Sequence, residues 1–155
     1  MAIADEIYEY ITFTGKHLSL AAFDGVYEQV VTVNGLSKGF AMTGWRCGYI
    51  GAPLWLAQAC TKMQGQFTSA AASITQRAAL AAVQANPKVI ATMRQAFEKR
   101  RDLVITLLQG IPGFKTNMPQ GAFYVFPEVS AFFGKTTAAG KKLDSAADQC
   151  ENFLK

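Results

Sequence analysis

The chain has 155 residues, of which 50% are hydrophobic and 17% are charged, and its formal net charge at pH 7 is +4. This apolar content is sufficient for a packed core and excludes an intrinsically disordered chain. The basic residues are dispersed along the sequence, which argues against a nucleic-acid partner. No apolar run approaches the length that crosses a bilayer, so no membrane partner is expected.

Cysteine usage and the first residues bear on the cellular compartment. The three cysteines, Cys47, Cys60 and Cys150, are odd in number and lack metal-ligand spacing. This favours a reduced, cytoplasmic setting and predicts no metal site. The opening stretch MAIADEIYEY has acids where a secretory leader has basic residues, and it lacks a leader's apolar core. His17 lies in a polar stretch and is interpreted as a surface residue.

Strand signals dominate the first third of the chain, which opens with a short apolar, strand-like piece ending at Asp5. YEQVVTVNG, residues 27–35, is rich in β-branched residues and ends in Asn-Gly, which indicates a strand followed by a turn. Its nearly continuous apolar character is typical of a strand buried on both faces of a parallel sheet. GWRCGYIGAP, residues 44–53, predicts a second strand that is stopped by Gly51 and Pro53.

From residue 53 onward the sequence is helical in character. Residues 53–67 and 72–85 are alanine-rich and predict two helices. Asn86 as the N-cap and Pro87 at the first helical position predict a third, long helix, which Gly110 and Pro112 end. Its charge run is interpreted as solvated surface, opposite an apolar face; the run is Lys99, Arg100 and Arg101, and the face is Ile90, Met93, Phe97, Val104 and Leu108.

The last third of the chain predicts one strand and one helix. GAFYVFPEV, residues 121–129, indicates a strand closed near Pro127, and Asp144 or Ser145 starts a final helix. That helix reaches the last residue without a cap, and the first strand begins only a few residues before Asp5. Both ends therefore indicate an internal fragment of a longer protein.

Lys38 is the first candidate for chemistry. It follows a predicted buried strand and a glycine-containing turn, and ligands of open α/β sheets bind at the carboxyl ends of strands. Partial desolvation and a nearby cation lower the pKa of a lysine and make it a nucleophile toward a carbonyl. Arg46, eight residues later, has the planar guanidinium that suits a phosphate. Read singly, Lys38 is better explained as an ordinary loop lysine, and Arg46 is equally well explained as an exposed charge at a strand edge.

Asp5 and Tyr8 complete a possible set. A carboxylate at Asp5 matches the protonated nitrogen of a pyridine ring, and the phenol of Tyr8 matches a ring hydroxyl. The alternative is an acidic turn with a packed aromatic residue, in which Glu6 and Glu9 are solvated neighbours. Taken together, an amine, a phosphate-binding cation, a carboxylate and a phenol correspond to the aldehyde, phosphate, ring nitrogen and ring hydroxyl of pyridoxal 5'-phosphate.

The stretches ADEIYEYI and VNGLSKGFAMTGWRCGYIGAP closely resemble the pyridoxal-phosphate-dependent aminotransferases of fold type I. The resemblance is greatest to the class I/II, aspartate aminotransferase-like group, and it covers essentially the whole chain. It implies an α/β fold with the later strands of a mostly parallel sheet, a long connecting helix and the start of a small α+β domain. The implied domains are residues 1–86 in the large cofactor-binding domain, 87–110 in the connecting helix and 111–155 in the small domain.

The resemblance also implies roles for four residues. Lys38 matches the lysine that forms a Schiff base with the cofactor and moves a proton at the substrate Cα. Arg46 matches the phosphate-binding arginine, Asp5 the partner of the pyridine nitrogen, and Tyr8 the partner of the ring hydroxyl. Where the family often has a phosphate-contacting serine, three residues before the lysine, this chain has Gly35.

The implied activity is transfer of an amino group between an amino acid and a 2-oxo acid, by a homodimer. Family members are considerably longer, and their phosphate loop and carboxylate-binding arginine have no counterpart in this sequence. The isolated chain is therefore expected to transaminate poorly, as a non-catalytic fragment. A third possibility is that the parent protein is another fold-type-I enzyme, such as a carbon–sulfur lyase.

Overall fold

A computed structural model describes residues 1–86 and 88–154 of the chain. Apart from one predicted strand that does not form, the strands and helices follow the order predicted from the sequence, with short 3₁₀ turns between them. The strands are β1 (Ala2–Asp5), β2 (Val30–Gly35) and β3 (Gly48–Gly51). The helices are α1 (Leu54–Phe67), α2 (Ser73–Gln84), α3 (Lys88–Gln109) and α4 (Ala146–Phe153). The 3₁₀ turns are Leu20–Ala22, Tyr27–Gln29, Thr43–Trp45 and Ser130–Phe132.

The three strands form one sheet in the order β1-β2-β3. β1 pairs parallel with β2, and Asp5 at the end of β1 lies opposite Val33. β2 pairs antiparallel with β3, and Gly35 lies opposite Gly48. The sheet is therefore mixed, with one parallel and one antiparallel pairing. The predicted burial of the central strand is confirmed at Val30 and Val31, which are 3% and 7% exposed.

Two predicted strand boundaries shift. The predicted strand at residues 27–35 begins at Val30, because Tyr27–Gln29 form a 3₁₀ turn. The predicted strand at residues 44–53 is confined to Gly48–Gly51, because Thr43–Trp45 form another such turn.

The prediction of a strand over residues 121–129 is wrong. Among the described residues, this segment makes only two isolated bridges, one between Gly121 and Thr12 and one between Glu128 and Lys115. Ala122 adopts a left-handed conformation with φ of 58°, which interrupts the extended backbone that a strand requires. Aromatic and β-branched side chains fit a pleated surface, but without a continuous ladder they do not make a strand.

The helices confirm the predicted capping signals. The Asn86 side chain accepts a hydrogen bond from the Lys88 amide (2.9 Å) at the start of α3, and the helix ends just before Gly110. The predicted first helical residue, Pro87, lies outside the described residues. Ser145 caps α4, where its hydroxyl accepts a hydrogen bond from the Asp148 amide (3.2 Å). Both caps satisfy amide donors that a helix leaves unpaired in its first turn.

Two details of α3 differ from the prediction. The buried apolar residue of its second half is Ile105, 2% exposed, whereas Val104 is 39% exposed. Arg101 is not solvated surface: its side chain is 12% exposed, and its guanidinium lies 2.7 Å from the Asp102 carboxylate and 3.2 Å from the Pro119 carbonyl oxygen. Asp102 and the Pro119 carbonyl thus bind the Arg101 guanidinium, which the local charge run predicted to be solvated.

The chain divides into two compact units. The first comprises Met1–Phe97 and Gln120–Ala122, and the second Glu98–Pro119 and Phe123–Lys155. Each has its own buried apolar residues: Ile11, Val30, Val31, Leu36 and Ile90 in the first, and Ile105 and Leu143 in the second. The predicted domains at 1–86, 87–110 and 111–155 stay a prediction. Among the described residues, no helix is both long and apolar enough to cross a membrane.

Candidate active site

Asp5 and Tyr8 lie in a turn that directly follows β1. Asp5 is the last residue of the strand, and one carboxylate oxygen, Oδ1, accepts a hydrogen bond from the Ile7 amide (3.2 Å). The Tyr8 carbonyl accepts a hydrogen bond from the Ile11 amide (2.8 Å), which closes the turn. Asp5 and Tyr8 both line one cavity of about 230 Å³. We call residues 5–10 the acidic turn.

Glu6 is buried, which corrects its interpretation as a solvated neighbour. It is 7% exposed, and its carboxylate accepts hydrogen bonds from the Ser19 hydroxyl (2.8 Å) and the Leu20 amide (3.2 Å). The His17 ring lies 3.0 Å from the same carboxylate, so this residue is a partner of Glu6 as well as a surface residue. Burial acts to raise the pKa of Glu6, but the hydrogen bonds from His17, Ser19 and Leu20 outweigh it and lower the pKa.

Glu9 is not a solvated neighbour either. It is only partly exposed, and its Oε1 accepts a hydrogen bond from the Asn34 side chain (2.8 Å). Asn34 is itself 6% exposed and lies near the end of β2. The Asn34-Gly35 pair predicted a turn, and no partner was predicted for the Asn34 side chain. Asn34 is an amide side chain inside an otherwise apolar buried strand, and a buried amide needs a hydrogen-bond partner. This feature of the sequence could have predicted a partner such as Glu9.

Lys38 lies in a turn three residues after β2 ends. The Phe40 amide donates to the Leu36 carbonyl (3.2 Å), and the Ala41 amide donates to the Lys38 carbonyl (3.3 Å). Lys38 is partly buried. We call residues 37–40 the lysine turn. Since β1 and β2 are parallel neighbours, the acidic turn and the lysine turn follow the same, carboxyl edge of the sheet.

Arg46 lies further along the connection between β2 and β3. It is exposed and left-handed, with φ of 53° and ψ of 53°, and it follows the 3₁₀ turn Thr43–Trp45. Its Nη1 donates a hydrogen bond to the Thr43 carbonyl (2.9 Å). We call residues 43–46 the arginine turn. Lys38 and Arg46 thus share one loop connection, while Asp5 and Tyr8 share one cavity.

Gly35 is required by close packing. A Cβ at this position would lie 2.9 Å from the Cys47 carbonyl oxygen and 3.1 Å from the Gly48 Cα. Both are backbone atoms of the neighbouring strand region, so a serine does not fit here without a shift of the sheet. The serine that the resemblance implies at this position would therefore need that shift.

Comparison with known proteins places these features in a family. Residues 1–147 match the family described as aminotransferase class I and II. The chain belongs to this family. It is 41% identical to an aspartate aminotransferase of Pinus pinaster, over 99% of this chain and 32% of that protein. It is also 41% identical to a bifunctional aspartate aminotransferase and glutamate/aspartate-prephenate aminotransferase of Petunia hybrida, over 99% of this chain and 33% of that protein.

The fold agrees with this membership. The crystal structure of the aspartate aminotransferase from Rhizobium meliloti superposes with a TM-score of 0.92 at 37% identity, covering 98% of this chain and 38% of that one. The chain therefore has part of the fold-type-I architecture, as predicted. It spans about a third of the length of the curated relatives it matches.

The family uses pyridoxal phosphate, and the residues of this chain fit that group in kind. The family-implied set offers an amine, a guanidinium, a carboxylate and a phenol, which match an aldehyde, a phosphate, a ring nitrogen and a ring hydroxyl. The Asp5 hydrogen bond to Ile7 occupies Oδ1 alone, so the carboxylate has a second oxygen for a ring nitrogen. The individual roles of Lys38, Arg46, Asp5 and Tyr8 stay predictions.

Proposed function

We propose that the complete protein, meaning this chain with any segments that adjoin it, is an aminotransferase. It moves an amino group between an amino acid and a 2-oxo acid with pyridoxal phosphate. The observation that supports this most directly is the motif SKGFAMTGWRCGY, which begins two residues after a buried strand that is parallel to the strand carrying Asp5. Family membership over residues 1–147 supports the same reaction class.

Lys38 is the residue we assign to covalent attachment of the cofactor and to proton transfer. When bound, pyridoxal phosphate supplies an electron sink for the electron pair released when the substrate Cα–H bond breaks. The Lys38 amine would take the proton from the substrate Cα as a general base and would give it back as a general acid. Its place on a turn after the carboxyl end of β2 supports this assignment.

The other three residues bind and orient. Arg46 holds the phosphate, for which an exposed guanidinium on a short connection is suited. Asp5 pairs with the ring nitrogen and keeps it protonated, because a carboxylate favours the charged form of a nearby base. Tyr8 donates a hydrogen bond to the ring hydroxyl oxygen. The cavity that Asp5 and Tyr8 share supports their acting on the same ligand.

The names of the relatives favour an acidic amino donor. Both the Pinus pinaster and the Petunia hybrida proteins are named as aspartate aminotransferases, and the second name adds glutamate and prephenate. We therefore propose aspartate as the amino donor and a 2-oxo acid as the acceptor. The two relatives give no support to the alternative of a carbon–sulfur lyase, whose assay would detect release of a thiol or sulfide instead.

The test is a covalent trap in the complete protein. Incubation with pyridoxal phosphate, borohydride reduction and peptide mapping should place the label on Lys38. Lys38→Ala should abolish both the label and keto-acid production from aspartate, whereas Lys62→Ala, at an exposed lysine of α1, should leave both unchanged. A label on another lysine, or full turnover in Lys38→Ala, would refute the assignment.

We also propose that the complete protein is a cytoplasmic homodimer. The dimer is supported by the family resemblance, and the compartment by three cysteines for which no disulfide is present in the described residues. Light scattering on the purified protein tests the dimer, and fractionation of the source cells tests the compartment. A monomer at micromolar concentration contradicts the first proposal, and recovery outside the cytoplasm contradicts the second.

A further inference from the structure

A part-buried hydrogen bond joins the acidic turn to the end of β2, the strand from which the lysine turn leaves. The Asn34 side-chain amide nitrogen donates to Glu9 Oε1 (2.8 Å), and its oxygen Oδ1 accepts from the Gly35 amide (2.7 Å). Both ends of one amide are therefore used, at a residue that is 6% exposed. One end holds the acidic turn, and the other fixes the backbone from which the lysine turn leaves β2.

Side-chain packing also joins the acidic turn to the chain around Lys38. The rings of Tyr10 and Phe40 meet edge to face, with centroids 5.3 Å apart and planes at 70°. A Cβ on Gly39 would lie 2.5 Å from Tyr10 Cδ2, so the backbone beside Lys38 lies directly against that ring. A Cβ on Gly35 would lie 3.3 Å from Ile7 Cδ1. The two turns thus form one packed unit.

The electrostatics around Glu9 agree with this geometry. Burial raises the pKa of the Tyr10 phenol, and the Glu9 charge and a hydrogen bond to Glu9 raise it further. Burial also raises the pKa of the Tyr49 phenol, with the Glu9 charge as the next cause. The Glu9 charge therefore acts on two phenols, one in the acidic turn and one in β3, while its hydrogen bond from Asn34 links it to β2.

We propose that Asn34 and Glu9 are positioning residues that hold the acidic turn and the lysine turn in one fixed relation. The proposal rests on the proposed function in one respect, namely that Asp5, Tyr8 and Lys38 act on the same cofactor. Glu9 also lines the cavity that Asp5 and Tyr8 share, but in this scheme Glu9 and Asn34 act through the hydrogen bond between them and not on the cofactor. They act by fixing the position of Asp5 and Tyr8, which bind the ring, relative to Lys38, which bonds to the aldehyde. Groups that are held in a fixed geometry react faster than groups that move independently.

The test exchanges donor and acceptor. Asn34→Asp keeps an acceptor for the Gly35 amide but replaces the donor to Glu9 with a second carboxylate. Glu9→Gln alone removes the charge and keeps an acceptor oxygen. In the double variant Asn34→Asp/Glu9→Gln, the new amide can donate to the new carboxylate, which restores the bond in the opposite direction. A residue with only a local structural role would not be rescued in this way.

The first readout needs no cofactor. Hydrogen exchange of the complete protein without pyridoxal phosphate should be faster in residues 6–11 and also in 35–42 in Asn34→Asp, by about tenfold, and should return toward wild type in the double variant. Faster exchange in one turn only, or no recovery in the double variant, overturns the proposal. Thr106→Ala, at an exposed position on α3, is the matched control and should leave both segments unchanged.

The second readout is trapping of pyridoxal phosphate on Lys38 by borohydride. Asn34→Asp should raise the cofactor concentration for half-maximal trapping about tenfold, and the double variant should recover most of this loss. Equal trapping in wild type and Asn34→Asp overturns the proposal. If wild type itself is not labelled on Lys38, the proposed function fails, and the exchange experiment decides the positioning role alone.

Discussion

The acidic turn and the arginine turn belong to the same unit, but the chain holds their charged side chains in different ways. Glu6 and Glu9 are held by groups 11 to 25 residues away in sequence, namely His17, Ser19, Leu20 and Asn34. Arg46 is exposed, and its guanidinium bonds to the carbonyl of Thr43, three residues earlier. The acidic turn is therefore shaped by the rest of the fold, whereas the arginine turn is shaped mainly by itself.

This difference separates two properties that substitutions can measure. A charge that is buried among fixed partners contributes to the free energy of unfolding, because its removal strands those partners away from water. An exposed cation contributes little to that free energy and a great deal to the affinity for an anion. Substitutions in the acidic turn should therefore change stability, and substitutions in the arginine turn should change ligand binding.

The largest effect is expected for Glu6→Ala. It leaves the Ser19 hydroxyl and the Leu20 amide without their acceptor, so we expect a loss of about 2–4 kcal/mol in the free energy of unfolding. Urea unfolding of the complete protein measures the change. Glu28→Ala is the control: Glu28 is exposed, and its removal should change the free energy by less than about 0.5 kcal/mol. Equal effects in the two variants would mean that the Glu6 contacts contribute nothing.

A pair of glycines tests the comparison through packing alone. An alanine Cβ at Gly39, in the lysine turn, would lie 2.5 Å from the Tyr10 ring of the acidic turn, so Gly39→Ala should destabilise the protein by about 1–3 kcal/mol. In the arginine turn, a Cβ at Gly44 has no atom within 4 Å, so Gly44→Ala should be neutral or stabilising by up to about 1 kcal/mol. Thermal unfolding of both variants measures the difference. Similar melting temperatures would contradict the claim that the acidic turn is packed against the fold while the arginine turn is not.

The sequence predicted the parts of the molecule that local patterns determine. The β-branched run of β2, the alanine-rich helices and the caps at Asn86 and Ser145 are all visible within a few residues. The burial of Glu6 and the partial burial of Glu9 were not predicted, since their partners lie far along the chain and leave no periodic pattern. A carboxylate in a polar stretch is usually solvated, and only the folded chain shows which ones are enclosed.

The predicted strand at residues 121–129 does not form for a similar reason. Its composition resembles that of β2, with aromatic and β-branched residues between turn formers. β2 has a paired neighbour on each side, whereas the 121–129 segment has only single bridges near its ends and a left-handed Ala122. Composition states a preference for extended structure, and pairing decides whether that preference is realised.

Acid pH should test the contribution of the Glu6 charge to the free energy of unfolding more selectively than Glu6→Ala does. Its hydrogen bonds hold the pKa of Glu6 below the ordinary value of 4.5, so its contribution to stability is present above that pH and is lost as pH falls through the lowered pKa. Glu6→Gln has no such proton to bind. The difference in unfolding free energy between wild type and Glu6→Gln should therefore shrink between about pH 5 and about pH 3. A constant difference over that interval would show that Glu6 does not titrate as its contacts require.

The smallest change in stability is expected at Arg46. The residue is left-handed with φ of 53°, a conformation that costs a side-chain-bearing residue about 1 kcal/mol and that glycine adopts freely. Arg46→Gly removes this strain and also the hydrogen bond to the Thr43 carbonyl, so the unfolding free energy should stay within about 1 kcal/mol of wild type. Trapping of pyridoxal phosphate on Lys38 should nevertheless need at least about tenfold more cofactor, because the phosphate loses a guanidinium partner.

Pyridoxal without the phosphate is the control ligand and should be trapped equally by both proteins. A variant that keeps wild-type affinity for pyridoxal phosphate would show that Arg46 does not bind the phosphate, whereas a large loss of stability would show that the arginine turn is held by the fold in the same way as the acidic turn.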